Sequence, residues 1–210
     1  MKKSLTEFIG TFFLVLTIGL TVLNGTPMAP LAIGASLMVM VYMGGHISGA
    51  HYNPAVSLAV MLRGKLEPRE YLPYLLSQVA GATAAAGVVY LVLGQTFAPS
   101  PGNTPAFAAL ITELLYTFAL ALVVLNSATS PHTQGNSFYG LAIGFTITVA
   151  AFAGGPISGG AFNPAVGIGP TIVRALLGGG GWGELWLYIV GPLLGAVLAA
   201  WVYRIQHAGD

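Results

Sequence analysis

The chain has no cysteine among its 210 residues. Disulfides, thiolate metal sites and cysteine nucleophiles are therefore excluded. Charge is nearly as scarce. Only 6% of residues are Asp, Glu, Lys or Arg, against roughly 25% in an average soluble domain. So few charges cannot cover a water-facing surface. The net charge of +1 leaves no basic field for nucleic acid. Apolar side chains are what it has in abundance: 55% of the total, with a mean hydropathy of +0.80. This implies an all-α membrane protein, long enough for about six spans of roughly 20 residues each.

Apolar runs predict those spans at 5–23, 29–45, 71–93, 106–126, 137–154 and 184–205. Two further segments, 53–62 and 163–174, are too short to cross a bilayer. Lys2 and Lys3 before an apolar run imitate a signal peptide, but Gly25-Thr26-Pro27 is a poor cleavage site, so the run is read as a retained span. The stretch 94–105 is rich in Pro, Gly and Thr and reads as a linker. Gly178 to Gly181 read as a flexible loop.

The chain also repeats itself. Ser48-Gly49-Ala50-His51-Tyr52-Asn53-Pro54-Ala55-Val56 returns as Ser158-Gly159-Gly160-Ala161-Phe162-Asn163-Pro164-Ala165-Val166. Thr6-Glu7 matches Thr112-Glu113, and Tyr74 with Gly81-Ala82 matches Tyr188 with Gly195-Ala196. Each half therefore runs Glu-bearing span, second span, short segment, third span. Three spans is an odd number, so the second half enters from the opposite face. The expectation is one transmembrane channel domain over 1–210, with inverted halves at about 4–93 and 106–205. If six spans alternate, Lys2, Lys3, Arg63, Lys65, Arg69 and Arg204 share one side and only Arg174 falls on the other, which places both termini on the cytoplasmic side of a cell membrane.

Asn-Pro is a helix start, because Asn caps well and Pro loses nothing at the first helical position. Two re-entrant half-helices are predicted to begin at Asn53 and Asn163, with Pro54-Ala55 and Pro164-Ala165 in their first turns. Inversion sends one in from each face, so their N-termini meet near the midplane. Non-helical backbone at that depth must be buried or line a water-filled cavity. The carbonyls of 46–52 and 156–162 would supply acceptors, the two Asn amides would donate, and the helix dipoles would repel cations. That arrangement suits a neutral, hydrogen-bonding solute.

Glu7 and Glu113 are carboxylates within spans. Proton relay is the sharper reading, but two symmetric copies favour loop support by accepting bonds from N–H groups ahead of each half-helix. Gln78 has Pro192 as its counterpart and reads as a packing hydrogen bond. Gly81, Gly191 and Gly195 read as close helix packing. His51 has two open roles: a pore-lining group or pH gate, or a bond that fixes its loop. His46 reads as loop structure and His132 as a solvated loop residue.

Two Asn-Pro-Ala motifs in an inverted six-span repeat resemble the aquaporin and aquaglyceroporin superfamily, over about residues 4–205. The string Gly45-His46-Ile47-Ser48-Gly49-Ala50-His51 is also similar to the nodulin-like and bacterial arsenic-associated branch. The resemblance implies a homotetramer in the lipid bilayer, one pore per subunit, and passive passage of water and small neutral solutes. It implies that Asn53 and Asn163 form the central constriction. It places a selectivity filter at Ile33, Ala151, Gly160 and Val166. The family usually carries Arg where Val166 stands, so the expected filter is wide and apolar. Glycerol, urea and metalloid hydroxides such as arsenite fit it; a mainly water-selective channel is the alternative. Loss of the Arg leaves cation rejection to the dipoles and the asparagines. A secondary transporter also uses inverted repeats, but it would need coupling ions and more intramembrane charge. No nucleophile, metal cluster or cofactor motif points to an enzyme, and no cofactor or metal is expected.

Overall fold

A computed structural model describes residues 1–177 and 179–208. The regular secondary structure of the described residues is all helical, with no strand among them. The elements are α1 (Lys2–Leu23), α2 (Ala29–Ser48), α3 (Pro54–Leu62), α4 (Pro68–Leu93), α5 (Ala106–Val124), α6 (Tyr139–Ala153), α7 (Gly155–Ser158), α8 (Pro164–Leu176) and α9 (Leu187–Gln206). A π-helical turn, Leu125–Thr129, extends α5. Of the predicted glycine loop, Gly178 lies outside the described residues.

Five helices are long and apolar enough to cross a membrane: α1, α2, α4, α5 with its π-helical extension, and α9. The remaining predicted span, the fifth in chain order, is interrupted. Its helix α6 has 15 residues and stops at Ala153, and α7 resumes after Gly154. Pro156 has no N–H to give the preceding turn, so the ladder breaks there. Together the run 139–158 still reaches about 30 Å, a bilayer's hydrocarbon thickness. The protein is a multi-pass membrane protein. His46, read from sequence as part of a loop, lies in the last turn of α2.

Both half-helices start at their Asn. Asn53 is extended at φ −157° and its Oδ1 accepts from Ala55 N (2.8 Å) and Val56 N (3.4 Å). Asn163 is extended at φ −163° and its Oδ1 accepts from Ala165 N at 2.9 Å. The helices ahead of them end alike, on Gly49 and Gly159, both left-handed at φ 88°. A side chain there would be strained.

Helices in lipid gain little from the hydrophobic effect and associate through close backbone approach. The crossing of α1 with α4 and that of α5 with α9 use matching glycines. A Cβ on Gly81 would overlap the Phe8 carbonyl, and one on Gly195 would overlap the Leu114 carbonyl. The stretch 94–105 is more than a linker. Phe97 packs against the core cluster that holds Val15 and Ala85, close to Gly19, and the Ser100 backbone lies where a Cβ of Gly159 would be.

Candidate functional site

The site is built from the loops ahead of α3 and α8. Glu7 is fully buried and accepts four bonds: Ser48 Oγ (2.6 Å) and His51 N (3.0 Å) on Oε1, Tyr52 N (2.6 Å) and Gln78 Nε2 (2.8 Å) on Oε2. Glu113 is equally buried and accepts three: Ser158 Oγ (2.8 Å), Ala161 N (2.9 Å) and Phe162 N (2.6 Å). Tyr74 Oη donates to Ser48 O at 2.7 Å and Tyr188 Oη to Ser158 O at 2.6 Å. Bonds to an ionised acceptor are roughly twice as strong as neutral ones.

These bonds set the direction of the peptide planes. In a trans peptide the carbonyl points away from the following N–H. With the N–H groups of His51, Tyr52, Ala161 and Phe162 turned to the glutamates, the carbonyls of Ala50, His51, Gly160 and Ala161 face the other way. None of these four carbonyls accepts a hydrogen bond from the described residues. The turn requires left-handed backbone at Ala50 (φ 54°), Tyr52 (φ 51°), Gly160 (φ 66°) and Phe162 (φ 48°). Such conformations cost non-glycine residues about 1–3 kcal/mol each, which the carboxylate bonds offset.

The two loops then lock onto each other. Asn53 Nδ2 donates to Phe162 O at 2.9 Å, and Asn163 Nδ2 donates to Tyr52 O at 2.8 Å. Each amide has one hydrogen left. Ala55 and Ala165 are fully buried beside this junction, under Pro54 and Pro164.

One narrow cavity of about 40 Å³ runs past the junction. That is room for a few water molecules, since one needs about 10–15 Å³ on this measure. The structure brings Ile33 of α2, Ala151 of α6, Gly160 and Val166 of α8 to its wall, together with Asn53, Asn163 and His51. Among the described residues no Lys, Arg, Asp or Glu lines it. Arg174, the cation of α8, packs instead against Gly179. His51 also lines a wider mouth of about 800 Å³, with Lys3, His46, Arg63, Lys65 and Glu70. His132 is exposed and its ring stacks on His207 at 5.7 Å. Among the described residues no group of three or more His, Asp or Glu comes together as a metal site.

Sequence reasoning assigned no role to Ser48, Ser158, Tyr74 or Tyr188, although all four stand in the repeat. It also passed over Ser57, which bonds His51 Nδ1 at 3.0 Å. Ser57 left no echo, because Gly167 stands in the second copy.

The model of the major intrinsic protein family matches residues 1–203. The chain belongs to the major intrinsic protein family. Aquaporin NIP1-1 of Zea mays is 37% identical over 98% of this chain and 74% of its own length. Aquaporin NIP1-4 of Oryza sativa subsp. japonica is 39% identical over 100% of this chain and 79% of its own. The glycerol uptake facilitator protein-like 6 of Lactiplantibacillus plantarum is 36% identical, with both chains covered in full. The NIP-named relatives agree with the nodulin-like likeness of the Gly45–His51 string. The fold is similar to that of the aquaglyceroporin from Plasmodium falciparum, with a TM-score of 0.86 at 23% identity, over 96% of this chain and 94% of that one. Membership in the major intrinsic protein family accounts for two antiparallel half-helices inside a bundle of spans.

Proposed function

We propose that this chain is a passive transmembrane channel for water and small uncharged solutes, with no bond made or broken along the way. One observation carries the reading. A cavity passes the Asn53–Asn163 junction and is lined by the two asparagines, His51 and mainly apolar residues, with no Lys, Arg, Asp or Glu among the described residues. Two helix N-termini put partial positive charge at that junction. Neutral solutes exchange their water for amide donors and carbonyl acceptors there, while cations are repelled. Relatives named as aquaporins and as a glycerol uptake facilitator support a channel of this kind.

Asn53 and Asn163 form the central constriction in this proposal. Ile33, Ala151, Gly160 and Val166 form the filter. Val166 offers neither charge nor donors where an Arg fork would narrow the passage. Glycerol, urea and metalloid hydroxides are the solutes such a filter admits. Each half, about 4–93 and 106–205, contributes one half-helix and one filter-side loop to a single domain. The subunits assemble as a homotetramer, each with its own pore, in the cell membrane. Both termini are cytoplasmic, because Lys3, Arg63 and Lys65 gather at one mouth and Arg204 bonds Leu62 O beside it.

The small cavity volume favours a second reading, a mainly water-selective channel. Stopped-flow light scattering on proteoliposomes separates the two, with water, glycerol, urea and arsenite gradients. Fast solute flux that Val166→Arg suppresses establishes the wide filter. Fast water flux without solute flux establishes the water channel. No flux of either kind overturns the proposal.

A further inference from the structure

His51 is the one titratable imidazole on the cavity wall among the described residues, and it stands at the junction of the narrow cavity with the wide mouth. Which ring nitrogen carries its proton follows from counting donors outward from Glu7. The Glu7 carboxylate can only accept. It therefore fixes the Gln78 amide with Nε2 toward it, at 2.8 Å, because the reverse orientation would set Oε1 against a carboxylate oxygen. The second hydrogen of Gln78 Nε2 goes to Ser57 Oγ at 3.0 Å. Ser57 is fully buried, and His51 Nδ1 at 3.0 Å is the acceptor its side chain has within reach. If Nδ1 carried the proton, the Ser57 hydroxyl hydrogen would be buried without an acceptor.

We infer that Gln78 and Ser57 are positioning residues that hold His51 in the neutral tautomer protonated on Nε2, so that the pore meets a fixed N–H donor and no basic nitrogen. Nε2 has no partner among the described residues, yet it is absent from the fully occluded polar atoms, so it keeps open surface. The lone pair that would take a proton from pore water is the buried one, capped by Ser57. A solute oxygen accepting from Nε2 is turned one way before it reaches the asparagines.

The second half has no such device. Ala161, Gly167 and Pro192 stand where His51, Ser57 and Gln78 stand in the first. The donor therefore serves one end of the cavity only. Its functional meaning rests on reading the cavity as a pore; the tautomer itself does not.

Magic-angle-spinning NMR of the full chain in liposomes, with 15N-labelled histidine, tests this at pH 7. The His51 signals are assigned by their loss in His51→Gln. The expected spectrum shows Nε2 protonated and Nδ1 bare in a single tautomer. Ser57→Ala shifts the ring to a mixture of tautomers, and Ser57→Thr, which keeps the hydroxyl, restores the single one. A wild-type ring protonated on Nδ1, or a Ser57→Ala ring unchanged from wild type, overturns the inference. The wild-type spectrum decides by itself if Ser57→Ala does not fold. Because this readout is independent of flux, a silent permeability assay counts against the channel and not against the tautomer.

Discussion

The side-chain amide of Asn163 donates to the Tyr52 carbonyl at 2.8 Å across 111 positions of sequence. Its mirror bond joins Asn53 to Phe162. Each asparagine thus does two jobs with two atoms. Its oxygen starts its own half-helix, and its nitrogen holds the other half's loop.

Asn163→Asp separates these jobs. The carboxylate keeps the helix cap but sets an oxygen against the Tyr52 carbonyl. The expected loss is about 2 kcal/mol, the scale of a buried acceptor left without its donor. Thermal unfolding in detergent reads it. A variant as stable as wild type would show that the cross-bond does not hold the halves together.

Glu113→Gln places an amide NH2 among N–H groups that need an acceptor, with Phe162 N at 2.6 Å in the wild type. The expected destabilisation is roughly 1.5–3 kcal/mol, the range for hydrogen bonds to a charged group. Glu7→Gln has a partial escape, because Gln78 Oε1 is buried without a partner and can turn to accept. Glu7→Gln is therefore expected to be the milder of the two in the same unfolding assay.

The hydroxyls of Tyr74 and Tyr188 bond equivalent carbonyls at the ends of α2 and α7. Tyr74→Phe and Tyr188→Phe should each cost about 1 kcal/mol. Because the two sites share no partner, the double variant should sum them. A clear excess over the sum, measured by a double-mutant cycle, would mean that the loops communicate through the asparagine cross-bonds.

Gly195→Leu drives a side chain into the Leu114 carbonyl and parts α5 from α9. A loss of about 3 kcal/mol or more is expected, seen as reduced yield of folded protein. Gly87→Ala in α4 is the control, since a Cβ there meets nothing. It should be neutral or stabilising by about 0.5–1 kcal/mol.

The helical architecture was legible because each signal was local or repeated. Asn-Pro gave the start of both half-helices, and the glycine matches Gly81 and Gly195 pointed to the tight crossings. The break in the fifth span was less so. Gly154-Gly155-Pro156 is visible in the sequence, but hydropathy alone runs through it. The docking of Ser100 on Gly159 was not legible, because a Pro- and Gly-rich stretch reads as a connector whatever it touches. The glutamates could be read as acceptors, since a buried carboxylate must find donors. Their link through Gln78 and Ser57 to His51 could not, because Glu7 and Gln78 stand 71 positions apart and Gln78, Ser57 and His51 have no echo in the second half.

The two crossed bonds have a historical consequence. Tyr52 and Phe162 present the same main-chain carbonyl, and Asn53 and Asn163 the same amide, so the junction is self-complementary. A chain of half this length could have formed it with a second copy of itself, packed head to head about a two-fold axis. Fusion into one chain would have added no contact at the centre. What it added was freedom for the copies to drift apart, and His51 against Ala161, Ser57 against Gly167 and Gln78 against Pro192 are marks of that drift.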